Sequence, residues 1–298
     1  MSQEGLTKIN PIPLDEPIDM HAVTTNESSI VIPPPRNNKP WLIPLLLKIQ
    51  KYSAYTFVSF LGIHLTSVII VPILPIDPDI KQDVFSMAKA VFQSLPLYEN
   101  FIIYGSSLLH VCSGIGLRLF RKNKRRRSSN DNDKLRISDD DQDIGLGGIS
   151  NIFGLGYKKS WISTTFGITP LQFSGYMIIP LVAYHFYKFR YVPWAYEGDS
   201  SLVNLDYISY VLNLKYPWLN TLGLMGLIWT ISYHVVNGVM KLQHKFNKQW
   251  KKIGLGLINL IGSLGMISVY YFKFNHCEVE ETGFLGKVFV KYIQSSWL

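Results

Sequence analysis

Two stretches of the chain repeat one another: SAYTFVSFLGIH from Ser53 to His64, and SGYMIIPLVAYH from Ser174 to His185. Each runs from Ser through a small residue and Tyr into an apolar run that closes on His, and the two lie 121 positions apart. The same offset carries Val71-Pro72 onto Val192-Pro193 and Pro96 onto Pro217. With three residues inserted the offset becomes 124, and His110-x-x-x-Gly114 falls on His234-x-x-x-Gly238. A basic residue follows each, Arg118 and Lys241. Such a duplication restricts the fold to two copies of one unit, each a pair of apolar helices with one His apiece. It predicts a ligand held symmetrically between the halves.

The apolar runs are long enough for a bilayer. Segments near 53–74, 98–119, 171–190, 219–240 and 254–272 each approach the roughly 20 residues that cross hydrocarbon, with Trp, Tyr and basic residues at their ends. They predict an all-α membrane protein of five transmembrane helices, four of them the duplicated pairs. The chain then divides into a disordered tail 1–40, a first helix pair 41–119, a polar connection 120–170, a second pair 171–253, and a fifth helix with a C-terminal segment 254–298. Five spans place the termini on opposite sides. The side holding the N-terminus carries 21 of the 29 Lys and Arg, which predicts a cytosolic N-terminus and a C-terminus across the membrane. The net charge of +8 is therefore read as a topology signal, with no nucleic-acid partner. The first 40 residues hold neither a long apolar run nor an Arg-rich presequence, so insertion is expected to be directed by the spans themselves.

Between the spans, Val84, Phe85, Ala88, Val91, Phe92 and Leu95 share one helical face, and Leu202, Val203, Leu205, Ile208, Val211 and Leu212 form a counterpart in the second half. Either a helix lying on the membrane surface or one docked on the end of the bundle fits this pattern. The run Arg121 to Arg127 suits anionic head groups or simple topology. The Gly-rich stretch from Gly145 to Gly156 lacks the preceding strand and Gly-Lys-Ser/Thr ending of a phosphate loop. Gly254, Gly262 and Gly265 in the fifth span would let helices approach closely. Cys112 and Cys277 do not suggest a disulfide.

Histidine in hydrocarbon is costly enough to be a functional hypothesis. Four of the seven, His64, His110, His185 and His234, occupy four separate spans in duplicated contexts. Because each half holds an even number of spans, equivalent residues share a depth. His64 is thus expected to face His185, and His110 to face His234, in two layers toward opposite leaflets. Bis-imidazole ligation of b-type haem, one per layer, is the predicted cofactor chemistry. Structural hydrogen bonding is the alternative. Ser53 and Ser174, each 11 residues before a His, lie on its face; Gly114 and Gly238 leave room for a flat macrocycle or a neighbouring helix, and Arg118 and Lys241 could pair with propionates or serve as interfacial anchors. No flavin fingerprint, iron–sulfur Cys set or nucleophile with a base is present, so no enzyme activity is predicted. In the tail, Pro11-Ile12-Pro13-Leu14-Asp15 offers a stiff extended ligand to a partner.

Four His-bearing membrane helices, His-x-x-x-Gly in the second of each pair and a fifth helix without His resemble the di-haem cytochrome b anchor of succinate dehydrogenases and fumarate reductases. With Ile144 to Ser150 and the Pro11–Asp15 motif added, nearly the whole chain resembles the fungal mitochondrial outer-membrane Mcp family, the Mdm-ten-complementing proteins. That resemblance implies an adaptor that supports mitochondrial lipid homeostasis. It also implies that Pro11 and Pro13, flanked by Ile12 and Leu14, recruit a bridge-type vacuolar-protein-sorting lipid-transfer protein from the cytosolic side, with the C-terminus in the intermembrane space. The rival readings are a cytochrome b that carries electrons and a lipid scramblase that meets membrane lipids through a polar groove.

Overall fold

In the computed structural model, which describes residues 41–95, 97–128, 166, 168–245, 247–275 and 279–296, every regular element is a helix. In chain order these are α1 (Leu42–Ile73), α2 (Pro78–Ser94), α3 (98–128), α4 (170–197), α5 (Leu205–Asn213), α6 (Pro217–Leu242), α7 (Lys248–Phe274) and α8 (Phe284–Ser295). Pro11, Ile12, Pro13, Leu14 and the 144–150 stretch lie outside the described residues.

Four of these helices are long and apolar enough to cross a membrane: Leu42–Ile73, Tyr98–Arg121, Pro217–Leu242 and Lys248–Phe274. The chain is an all-α membrane protein. The span expected at 171–190 forms the continuous helix α4, but Gln172, His185, Lys188 and Arg190 make it more polar than the other four. Helix α1 begins 11 residues before the expected span, because Leu42 to Leu47 continue the apolar pattern past the basic Lys48 and Lys51.

Inside the bundle the usual polarity of a globular core is reversed. The buried positions along the spans are rich in Ser and Asn (Ser53, Ser67, Ser113, Ser174, Ser232, Asn237), whereas Leu108, Leu222, Leu260 and Ile267 point outward. Lipid is as apolar as Leu, so the helices gain little by hiding Leu and pack instead through small residues and internal hydrogen bonds. α1 packs on α3, α4 on α6, and α7 on α6.

The duplication extends to a local defect. Two residues past His64 the helix widens into a π segment, Thr66–Ile70; two residues past His185 it does so again, Tyr187–Tyr191, at the same offset of 121. Val71 N–H reaches back five residues to Thr66, and Val192 N–H does the same to Tyr187. The cause is Pro72 and Pro193, which bring no N–H to the ladder. Carbonyls released there take side-chain donors from other elements: Ser268 Oγ of α7 donates to Val68 O (2.9 Å), and Tyr207 Oη of α5 donates to Lys188 O (3.0 Å).

Beyond the spans, the two amphipathic connections diverge. α2 is capped by Asp77, which accepts from Asp79 N at 2.9 Å, and keeps Ile80, Met87 and Val91 exposed. Its counterpart α5, capped by Asn204, is buried: Tyr207, Tyr210 and Val211 pack with Phe289, Tyr292 and Ile293 of α8. That terminal helix was not foreseen, although Phe289, Tyr292 and Ile293 stand at i, i+3 and i+4. Lys89 reaches from α2 to the carbonyls of Ser201 (2.7 Å) and Val203 (2.8 Å), and burial draws its ammonium below the ordinary lysine range, with Asp199 pulling the other way.

Helix α7 contacts α6 closely where glycine replaces a side chain. A Cβ at Gly265 would stand 2.5 Å from Ile228 Cγ2, whereas one at Gly256 would meet nothing within 4 Å. Gly265→Val should therefore lower unfolding stability in detergent by roughly 1–3 kcal/mol through overpacking, with Gly256→Ala close to wild type. Equal melting of the two variants would contradict this packing.

Candidate functional site

The four spans that carry histidine bring them together in two layers. His64 and His185 have ring centroids 6.0 Å apart at an interplanar angle of 71°, and His110 and His234 are 6.2 Å apart at 86°. These are the pairings that the repeat register predicts, each joining one half of the chain to the other.

The lower layer has its protons assigned by its neighbours. His110 Nδ1 lies 3.2 Å from the carbonyl of Gln50. Only an N–H can bond a carbonyl, so Nδ1 holds the proton and Nε2 is left with its lone pair. His234 Nδ1 lies 3.0 Å from Ser174 Oγ, which donates its own proton to Leu171 O at 2.8 Å. His234 must then be the donor, and its Nε2 is again the free nitrogen. Ser174 thus serves the His of the adjacent helix rather than the one on its own. Ser53 spends its hydroxyl on Ile49 O (2.7 Å) within α1. The antiparallel run of the two helices in a pair is the signal: a serine near one span's beginning meets a histidine near the next span's end. Gly175 makes the approach of His234 feasible, since a Cβ there would come within 3.0 Å of its Cε1.

The upper layer is set among aromatic rings instead. Phe60 stacks on His64 (5.4 Å, 16°), and Phe189 lies 4.8 Å from His185. From these rings, contacts continue to Phe92 on one side and Tyr207 on the other. His185 Nδ1 is buried without a hydrogen-bond partner. Of the residues expected to support a ligand, Arg118 gives Nη1 to Tyr176 Oη at 2.7 Å, tying α3 to α4; Gly238 faces open space; and a Cβ at Gly114 would stand 3.3 Å from Gln50 Nε2.

Two imidazoles that would share one metal, each nitrogen roughly 2 Å from it, would have ring centroids about 6 Å apart, the separation found in both layers. Among the described residues no group of three or more His, Cys, Asp or Glu could hold an ion. Two imidazoles per layer are too few for a bare metal but suit one whose remaining positions a macrocycle fills.

The family model described as the transmembrane domain of MDM10-complementing protein 1 matches residues 59–162 and 180–270, which together contain all four histidines. The mitochondrial adapter protein MCP1 of Saccharomyces cerevisiae is 29% identical over 286 residues, covering 88% of this chain and 89% of that protein. No solved structure matches the chain.

Near the upper layer, the halves are also joined by an ion pair. Arg190 of α4 holds Glu99 of α3 with both arms of its fork, Nε to Oε1 at 2.6 Å and Nη2 to Oε2 at 2.8 Å, and gives Nη1 to Ser200 Oγ at 2.7 Å. Tyr104 Oη donates to the same carboxylate at 2.5 Å. A planar fork matches a carboxylate where a lysine ammonium cannot. Arg190→Lys should thus behave like the loss of the pair. A double-mutant cycle with Glu99→Gln should give a coupling of roughly 1 kcal/mol or more; additivity within a few tenths would show that the two side chains do not act together.

Proposed function

The chain belongs to the MDM10-complementing protein 1 family, and from that membership we propose that it is a mitochondrial adaptor. In this reading the bundle sits in the outer membrane, with the N-terminus in the cytosol and the C-terminus in the intermembrane space, and the tail recruits a bridge-type vacuolar-protein-sorting lipid-transfer protein in support of lipid homeostasis. The observation that carries the reading is the extent of the likeness to the yeast adapter, 88% of this chain and 89% of that protein, so that what is shared is a layout and not one motif. The partition of basic residues supports the orientation. Pro11, Ile12, Pro13 and Leu14 form the recruiting segment, because a preformed extended ligand loses little entropy on binding. Changing Pro11 and Pro13 to Ala should release the lipid-transfer partner from mitochondria while the bundle stays inserted. Unchanged recruitment in cells would place the contact elsewhere on the cytosolic face.

A second reading is favoured by the histidine geometry: each layer binds one b-type haem. His64 and His185 would hold the upper haem, and His110 and His234 the lower. When bound, haem supplies a one-electron redox centre and a rigid plate between the halves. The contribution of the chain would be to offer imidazole lone pairs, those of Nε2 in the lower pair, where Gln50 O and Ser174 Oγ fix the rings. The adaptor role does not depend on it. His64→Ala and His185→Ala should abolish the same haem and spare the other, with a low-spin b-type spectrum from the survivor. Purified protein without a Soret band after haem supplementation would return the histidines to structural hydrogen bonding.

A further inference from the structure

Three buried side-chain atoms lack a hydrogen-bond partner among the described residues: His185 Nδ1, Lys188 Nζ and Asn237 Oδ1. All belong to the second half, and each lies on a ligand histidine or three residues beyond one, at 185, 185+3 and 234+3. The duplicated positions in the first half are different. Ser67, at the place of Lys188, gives its hydroxyl to His64 O at 3.0 Å, and Ser113, at the place of Asn237, gives its own to His110 O at 3.0 Å. The first half therefore closes these positions on its own backbone, whereas the second leaves Lys188 Nζ and Asn237 Oδ1 open, with Asn237 Nδ2 given to Tyr233 O at 2.9 Å.

Lys188 is the extreme case. It is 1% exposed, lies in the π segment one turn past His185, and has its ammonium over the Tyr184 ring at 5.4 Å. That ring offers a face but no acceptor. Tyr184 Oη is itself committed to Asn220 Oδ1. The charge that acts on Lys188 is another cation, Lys215, whose ammonium goes to the carbonyls of Gln294 and Ser296. Among the described residues Lys188 Nζ has no hydrogen-bond partner, and an uncompensated ammonium in a low-dielectric interior is among the most costly groups a fold can carry. Glu99, near the upper layer, is held by Arg190 and Tyr104.

We propose that Lys188 is the anion anchor of the upper site: its ammonium pairs with a carboxylate of the propionate type on the tetrapyrrole seated between His64 and His185. The inference rests on the haem reading above and deepens it by naming the group that the macrocycle must carry. It also assigns the two sites different chemistry. The lower site fixes its imidazoles with hydrogen bonds, and the upper one recognises its ligand by charge.

The test compares haem with its dimethyl ester, which keeps the iron and the ring but has no carboxylate. Both are titrated into the full chain carrying His110→Ala, so that only the upper site reports through its Soret band. Wild-type Lys188 should prefer haem by about tenfold or more, as a charge-assisted bond warrants. Lys188→Met and Lys188→Gln should bind both forms alike, and Lys188→Arg should restore the preference. Haem-free Lys188→Met should melt at or above haem-free wild type, because an unpaired buried cation has been replaced by an apolar side chain of similar length. In the chain with all four histidines, haem retained between His110 and His234 shows that the variants fold. A preference unchanged in Lys188→Met and Lys188→Gln, or absent from the wild type while haem still binds, overturns the anchor and leaves the haem reading standing. Absence of any Soret band in the wild type overturns both.

Discussion

A polar group carried into hydrocarbon must find its partner inside the protein, and the interior of this bundle follows from that requirement. Serines turn onto backbone carbonyls, the carbonyls freed by Pro72 and Pro193 receive hydroxyls from α7 and α5, and two imidazoles take protons to Gln50 O and Ser174 Oγ. Many apolar side chains, among them Leu108, Leu222, Leu260 and Ile267, face outward. Helix association then rests on small-residue contacts and on these bonds, which is why a glycine such as Gly265 sits directly against Ile228.

Duplication supplies the frame, and departures from it supply the chemistry. Both halves keep the His, the π segment two residues later and the Val-Pro that follows it. Only the second half places Lys188 and Asn237 where the first has self-satisfied serines, and only its amphipathic helix is covered by α8. A site between two equal halves would bind a symmetric plate in either sense. The differences between these halves give such a ligand a preferred direction.

Much of the arrangement was legible in the sequence because a repeat register is a geometric statement. An offset of 121, changing to 124, predicts which histidine faces which, and the rings do pair that way. The roles of side chains at those depths were less legible. Eleven-residue spacing places Ser174 and His185 on one face, but the bond that forms is to His234 across the pair, because backbone carbonyls within the helix compete for every serine. The π segments had a sequence cause in Pro72 and Pro193, yet whether a missing N–H bends, breaks or widens a helix depends on which neighbour satisfies the freed carbonyl. The fourth element, at 170–197, was expected as a span equal to the rest, and its Lys188 and Arg190 turn out to be groups directed inward and toward the other half. Helix α8 was missed because its short amphipathic pattern has no counterpart in the first half.

The cover that α8 lays over α5 is a long-range contact. Tyr207, Tyr210 and Val211 are covered by Phe289, Tyr292 and Ile293, residues separated from them in the chain by the two long helices α6 and α7. Because α6 and α7 intervene, the contact can close only once those two helices have brought α8 back to α5. A copy in which α8 is displaced would keep the packing of its long helices yet uncover Tyr207 and Tyr210, an aromatic surface by which quality-control proteases could distinguish it from a closed one.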